Sequence, residues 1–415
     1  MPTFYHLVKH FRNLGWRKQR LLYSVALMIF FFALGDSILT YIMPLLMVEN
    51  GFSDTTLGLV IGSSSLVGAA FDVLASRYLR RPHYRRLYLA VLILVGVFGF
   101  LLFQAKLLWV FLLAMAVWGI YWDIFHFANY DFVSRITIKE NDAAEFGVLE
   151  VFKALGSLVG PILVGLVMVK RVGVTPFLLA AAALAAAFLV YSLLFQRSSK
   201  NRQENLIDRS KTKSWWQQLK LWHTLGHQIF PFLFFVLMLY VIDASFWTIG
   251  PLLAESGEFG VFGGFLLATY TLPILLTGWF VGGITTKFGK KRTAFVAMSL
   301  GALILSLLWW VQPVWLIMLL VLLAASCFSL TFTSIGGFYA DYITQTRAHE
   351  KEIQGLIDFF YNLGWIIGPV LAGFLADKFG TLKSFGLLGL IILLVTLSLI
   401  VLSVNGKTNK LDSLK

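Results

Sequence analysis

Asp36, Asp123, His126, Tyr130, Glu150, Lys153, Asp243 and Asp358 all stand inside long apolar runs of this 415-residue chain. A charge at the centre of such a run costs roughly 2.5–3.5 kcal/mol on insertion scales. These are therefore the positions where chemistry is expected. Asp123, His126 and Tyr130 follow the i, i+3, i+7 spacing of one helix face, among Trp122, Phe125 and Phe127. An aromatic wall with a few polar groups suits an organic ligand. Glu150 and Lys153, at i and i+3, can neutralise each other. Asp36, Asp123, Asp243 and Asp358 then have His126 as their one nearby base, and that surplus of acid suits proton loading or recognition of a cation. An anionic substrate would want arginine, and no arginine lies within an apolar run. His126 has no second His or Cys beside it, so it is either a satisfied helix contact or a titrating group. No metal site and no cofactor are expected, and Cys327, alone, offers no disulfide. Asp131, Asp341 and Glu352, near the ends of runs, are expected to be solvated at the membrane edge.

The elements that must hold these groups come in two copies. Gly147, Gly156, Gly160, Pro161 and Gly165 recur 208 residues later as Gly355, Gly364, Gly368, Pro369 and Gly373. Around them Phe152 matches Phe360 and Glu150 matches Asp358. Gly35-Asp36 with Pro44-Leu45-Leu46 recurs as Ile242-Asp243 with Pro251-Leu252-Leu253, 207 residues on. A stretch with Gly68 and Asp72 that ends at Arg80-Arg81 returns 210 residues on with Gly278, Gly282 and Lys290-Lys291. Three landmarks in one order at nearly one spacing indicate a duplicated module. Asp36 pairs with Asp243 and Glu150 with Asp358 in that duplication.

Hydrophobic residues make up 58% of the chain and charged ones 13%, against about 25% charged in soluble domains. Runs of about 20 apolar residues suit a bilayer core about 30 Å thick. Spans are expected near 21–46, 55–76, 87–104, 107–134, 144–169 and 175–196, then 228–253, 260–286, 293–312, 314–340, 352–376 and 384–404. The expected fold is an all-α polytopic membrane protein, twelve helices in two pseudo-symmetric bundles at 21–196 and 228–404. Segment 1–20 reads as an interfacial anchor, 197–227 as a linker carrying an amphipathic helix with Trp215, Trp216 and Trp222, and 405–415 as a tail. No short apolar core with a small-residue cleavage site opens the chain, so no removable signal is expected. Of 34 Lys and Arg, 28 fall in the termini, the central linker and alternate loops. Positive residues mark the cytoplasmic side, so both termini are expected there, in a cell (plasma or inner) membrane. The net charge of +13 is then topology. Nucleic-acid binding would need a basic soluble face, which this pattern lacks.

The loop after the second run carries Gly68, Asp72, Arg77, Arg80 and Arg81, and its copy carries Gly278, Gly282, Lys287, Gly289, Lys290 and Lys291. This resembles the signature of the major facilitator superfamily, with Ser76 and Ala75 where that family usually has Arg and Gly. The resemblance implies a gate in which Asp72 meets the basic cluster or a helix N-terminus. It also implies a cavity lined by spans one, four, seven and ten and flanked by five and eleven, where most of the intramembrane charges fall. The Gly156, Gly160, Pro161 series resembles the family motif of proton-driven drug antiporters. Its full repeat at Gly364, Gly368 and Pro369 makes it a hinge or packing device as well, since Pro frees a carbonyl and small residues allow close approach. The family's usual arginine in span four is absent. The function implied is alternating-access secondary transport, with proton-coupled efflux of amphipathic or cationic organic molecules first. Proton-coupled uptake of a small polar solute such as a sugar, lipid translocation, and a sensor or scaffold built on a transporter fold are the alternatives. The expected partners are a small-molecule substrate, protons and the lipid bilayer, the protein acting as a monomer. No HExxH, GxSxG or GxxxxGK[ST] motif points to an enzyme or an ATPase.

Overall fold

A computed structural model of the chain describes residues 16–78, 83–136, 142–168, 171–195, 215–256, 259–345 and 350–405. Twelve α-helices account for most of them: α1 (Trp16–Glu49), α2 (Asp54–Tyr78), α3 (Tyr84–Phe103), α4 (Leu108–Ile136), α5 (Asp142–Val167) and α6 (Val174–Phe195), then α7 (Trp215–Ala254), α8 (Gly263–Phe288), α9 (Lys290–Ser306), α10 (Val314–Gln345), α11 (Glu350–Phe379) and α12 (Thr381–Asn405). Each expected span coincides with one helix. Eleven are long and apolar enough to cross a membrane, and α8 is bent by 66° between Gly263–Thr277 and Phe280–Phe288. The bend falls at Gly278-Trp279, where glycine, a poor helix former, weakens the helix. Tight links reverse the chain: Gly380 at φ 84° joins α11 to α12 and Gly289 at φ 81° joins α8 to α9, a conformation that side chains with a Cβ resist.

Two features differ from the sequence pattern. The segment holding Trp215 and Trp222 is the start of α7, a single helix of 40 residues that runs on into the span. Nothing between Trp222 and Ile229 breaks it, and the Trp222 ring lies 5.9 Å from Phe359 of α11, so this end of α7 has a protein surface to pack on. Second, the compact units do not follow the two sequence halves strictly. One unit comprises Met1–Phe52, Ser63–Asn201 and Gly260–Ala268; the other comprises Ser53–Gly62, Arg202–Phe259 and Thr269–Lys415. Residues 1–15, most of the expected interfacial anchor, and 197–214 of the expected 197–227 linker lie outside the described residues.

In the first unit the duplicated glycines dock α5 on α1. A Cβ at Gly156 would meet the Phe30 carbonyl oxygen at 2.5 Å and the Ala33 Cβ at 2.9 Å, and one at Gly160 would strike Ser37. Ser37 Oγ donates to the Gly156 carbonyl at 3.3 Å. At its far end α5 meets the start of α8: a Cβ at Gly165 would lie 2.6 Å from the Gly264 nitrogen, and Gly264 rests on the Pro161 carbonyl. Backbones this close exclude any larger residue and maximise dispersion contact, the force that holds helices together in lipid.

The second unit repeats the device with α11 on α7. Gly364 lies against the Leu237 carbonyl and the Tyr240 Cβ, and Gly368 against the Val241 carbonyl and the Ala244 Cβ. Leu237, Tyr240 and Ala244 are each 207 positions beyond Phe30, Ala33 and Ser37, so the contacts keep the register that equates Asp36 with Asp243. Gly373 docks on the first turn of α2, and Gly58 and Gly62 of α2 lie against the carbonyls of Pro369 and Ile366. Aromatic stacking fills the interior, with Phe246 between Tyr270 (4.0 Å) and Phe385 (4.4 Å).

Candidate functional site

The charged residues singled out by sequence divide between the two units: Asp36, Asp123, His126, Glu150 and Lys153 in one, Asp243 and Asp358 in the other. In the first, α4 presents two faces. Trp118, Tyr121, Phe125, Ala128 and Phe132 point into the protein and are buried. Asp123, His126 and Tyr130 lie on a more open face, with Tyr130 54% exposed. The helix is amphipathic in an unusual sense, aromatic inward and titratable outward.

Asp36 of α1 meets the inward face. It is 5% exposed and accepts a hydrogen bond from the Tyr121 hydroxyl, with the Trp118 indole as its other polar neighbour. Phe32, one turn earlier on α1, stacks on Phe125 at 4.9 Å and meets Trp122 edge-on at 6.0 Å. Phe98 of α3 closes on Tyr121 from another side at 5.9 Å. Neutral donors in an aromatic casing hold this carboxyl, an arrangement that compensates a buried polar group without a cation.

Asp123 faces α2. A Cβ on Gly68 would sit 2.7 Å from Asp123 Oδ2, so the signature glycine is the space this carboxylate occupies. Oδ2 is buried and carries no hydrogen bond to a described residue. Asp72, one turn further along α2, is its electrostatic neighbour. The second part of the expected gate lies elsewhere: Arg80 and Arg81, and the side chain of Arg77, are outside the described residues.

His126 adjoins the α5 pair. Lys153 Nζ lies 2.5 Å from Glu150 Oε2, so the two neutralise each other, and Lys153 also sits over the Trp122 ring at 5.9 Å. The Trp122 ring is 5.8 Å from His126. Tyr130 packs on Phe146 at 5.1 Å. The acid, base, imidazole and indole form one half-open aromatic surface that could hold a flat organic molecule.

The second group is sparer. Asp243 of α7 is partly exposed and accepts from the Tyr270 hydroxyl at 3.1 Å. The Tyr240 ring lies 4.3 Å from Tyr361 and 6.1 Å from Phe332, one turn from Asp243 on the same face. Asp358 is exposed on α11. In the second gate copy Gly278 marks the bend of α8, and Gly282, which stands where the first copy has Asp72, faces open space. Lys287 and Lys291 lie over the rings of Phe288 and Phe338. Lys290 pairs with Asp341 at 2.6 Å and donates to the Gly337 carbonyl at 3.0 Å.

That pair corrects one expectation. Asp341 and Asp131 are held by protein partners, since Asp131 accepts from Arg135 Nε at 2.8 Å and from the Tyr84 amide at 2.7 Å, at the start of α3. The reason is geometric: each acid sits about one turn inside its helix end, within reach of the start of the preceding helix, α3 for Asp131 and α9 for Asp341. The side chain of Glu352 lies outside the described residues. Sequence reasoning missed Tyr121, Trp118 and Tyr270. Trp118, Tyr121 and Phe125 have i, i+3, i+7 spacing of their own, and that aromatic stripe was the available signal for the face that meets Asp36.

Comparison with known proteins agrees with this architecture. The profile of the Major Facilitator Superfamily matches residues 25–349 and 232–413. A tetracycline resistance protein, class H, from Pasteurella multocida is 25% identical over 251 residues, which spans 59% of this chain and 60% of that relative. Among solved structures, the nucleoside transporter NupG superimposes with a TM-score of 0.70 at 13% identity, covering 92% of this chain and 98% of that one. A bacterial homolog of the human lysosomal transporter Spinster, described as inward-facing and unoccupied, gives 0.71 at 11% identity with 92% and 96% covered. A peptide-bound transporter of the POT family gives 0.66 at 17% identity with 92% and 96% covered. These structures share the fold with this chain, and the profile spans nearly all of it: the chain belongs to the Major Facilitator Superfamily and is a multi-pass membrane protein.

Proposed function

We propose that this transporter exports amphipathic or cationic organic molecules in exchange for protons, across a plasma or inner membrane, as a monomer with both termini in the cytoplasm. The observation that carries the reading is Asp36: a carboxyl 5% exposed, inside an apolar span, held by Tyr121 and with no cation among the described residues of its casing. Burial of a charge is compensated by hydrogen bonds or relieved by a proton. A site built from neutral donors serves a carboxyl that changes protonation during a cycle. Asp123, whose Oδ2 has no hydrogen bond to a described residue and which has Asp72 as its electrostatic neighbour, is the natural second station. The half-open surface of Trp122, His126, Tyr130, Glu150 and Lys153 supplies aromatic area and acid for the solute; Asp243, in the other unit, is by itself a second acid for a solute contact. The tetracycline resistance relative supports efflux and supplies a first probe.

The test is transport in proteoliposomes under an imposed pH gradient, with tetracycline and the organic cation ethidium as probes. Accumulation of either that collapses when the gradient is dissipated, and is lost in Asp36→Asn while probe binding persists, is the expected outcome. Gradient-driven accumulation by Asp36→Asn at the wild-type rate would overturn the assignment of Asp36.

A further inference from the structure

Two junctions join a duplicated glycine helix to the start of another helix, and they are not built alike. At the α5–α8 junction, backbone meets backbone through Gly165, Gly264 and Pro161. At the α11–α2 junction, Gly373, Gly58 and Gly62 provide the same close approach, and an acid is added. Asp377 accepts from the Asp54 amide at 3.0 Å, from the Thr55 amide at 2.9 Å and from Thr55 Oγ1 at 2.5 Å.

Asp377 is out of place for its own helix. It lies two residues before the end of α11, where the helix dipole disfavours an anion. For α2 it is well placed, because the first amides of a helix have no partner within it. Nor does α2 depend on it to begin, since Ser53 already caps the helix: the Thr56 amide donates to Ser53 Oγ at 3.2 Å. The carboxylate therefore adds adhesion between α11 and α2 rather than helix stability. At the corresponding place after α5, 208 residues earlier, the sequence has Val169, which has no side-chain acceptor.

We propose that Asp377 is a positioning residue of the transport cycle: its carboxylate is a releasable clasp on the first turn of α2. This clasped junction, and not the glycine-only one at α5–α8, governs how often its end of the helices parts. Charge-assisted hydrogen bonds are strong but directional and few, so a small rotation of α2 releases all of them together. The glycine contacts remain as a dry guide along which the two helices re-engage. The inference needs only that the chain is a transporter and does not depend on which solute it carries.

Distances between nitroxide labels test it without any substrate. In a Cys327→Ser background, one pair is placed at Leu59 and Phe379, across the clasped junction, and a control pair at Leu166 and Phe262, across the other. All four side chains are exposed, at 45–59%. For Asp377→Asn in nanodiscs, the Leu59–Phe379 distribution is expected to gain a longer component, its fraction rising about tenfold on loss of the charged acceptor, while the control pair stays put. Thr55→Val is expected to move the same pair in the same direction by less, and Thr55→Ser to behave as wild type. An unchanged Leu59–Phe379 distribution, a matching change in the control pair, or identical behaviour of Thr55→Val and Thr55→Ser would overturn the proposal. The two Thr55 variants decide it even where Asp377→Asn is not recovered folded.

Discussion

Asp36 and Asp243 occupy one position of a duplicated module, and the structure surrounds them differently. Their equivalence rests on contact as well as spacing, because Gly156 against Phe30 and Ala33 is matched by Gly364 against Leu237 and Tyr240. Yet Asp36 is bonded by Tyr121 from α4, the fourth helix of its half, and Asp243 by Tyr270 from α8, the second helix of its own. At the 210-residue spacing that relates Asp131 to Asp341, the counterpart of Tyr121 is Thr331; at the same spacing the counterpart of Tyr270 is Val60. Each half has kept the acid and found its own phenol. One acid is sealed in aromatic packing with Phe32 and Phe98, while the other is partly open beside Tyr240 and Tyr361. Duplication fixed where a carboxyl sits; later divergence decided whether it is enclosed or reachable. That division fits a proton site in one half and a solute contact in the other.

Tyr121→Phe gives the largest effect among variants that leave both acids in place. It removes only the hydroxyl that bonds Asp36, and a hydrogen bond to a charged group contributes about 1.5–3 kcal/mol. Gradient-driven transport should fall about tenfold, with a displaced pH profile, and the unfolding temperature in detergent should drop as well. Next is Gly68→Ala. The added methyl meets Asp123 Oδ2 at 2.7 Å, and overpacking of this kind costs about 1–3 kcal/mol, so the unfolding temperature in detergent should drop measurably. Tyr270→Phe should be milder than Tyr121→Phe, about two- to threefold in transport, because water can replace the lost donor at a partly open Asp243. The smallest effect belongs to Gly282→Ala. This position in the second gate copy faces open space, and alanine is the better helix former by about 1 kcal/mol, so stability should hold or rise slightly. An equal response of the two glycines would show that the gate copies have not diverged as their surroundings indicate.

Much of the fold was legible in the sequence because its determinants are local and repeated. Apolar run length set the twelve helices, and the duplicated glycines marked α5 and α11 before any contact was visible. What escaped had non-local causes. The break in α8 depends on how Gly278-Trp279 is supported, and the extension of α7 on the surface α11 offers to Trp222. In the site, the intramembrane acids and the Glu150–Lys153 pair could be read from cost and spacing. Their partners could not, because i, i+3, i+7 spacing yields two faces of α4 and does not say which one meets α1. Asp377 was overlooked for a related reason. An anion at a helix C-terminus is unfavourable for its own helix, and its value appears only when the start of α2 is beside it.

The central claim is that enclosure makes Asp36 the coupling acid and openness makes Asp243 a solute contact. Parallel measurement of Asp36→Asn and Asp243→Asn in proteoliposomes, with ethidium flux recorded with and without a pH gradient, tests it most directly. For Asp36→Asn the account predicts ethidium binding and passive exchange near wild type with no accumulation driven by the gradient. For Asp243→Asn it predicts weakened ethidium binding with residual uptake still driven by the gradient. The reverse pattern, with Asp36→Asn still coupled and Asp243→Asn uncoupled, would contradict it.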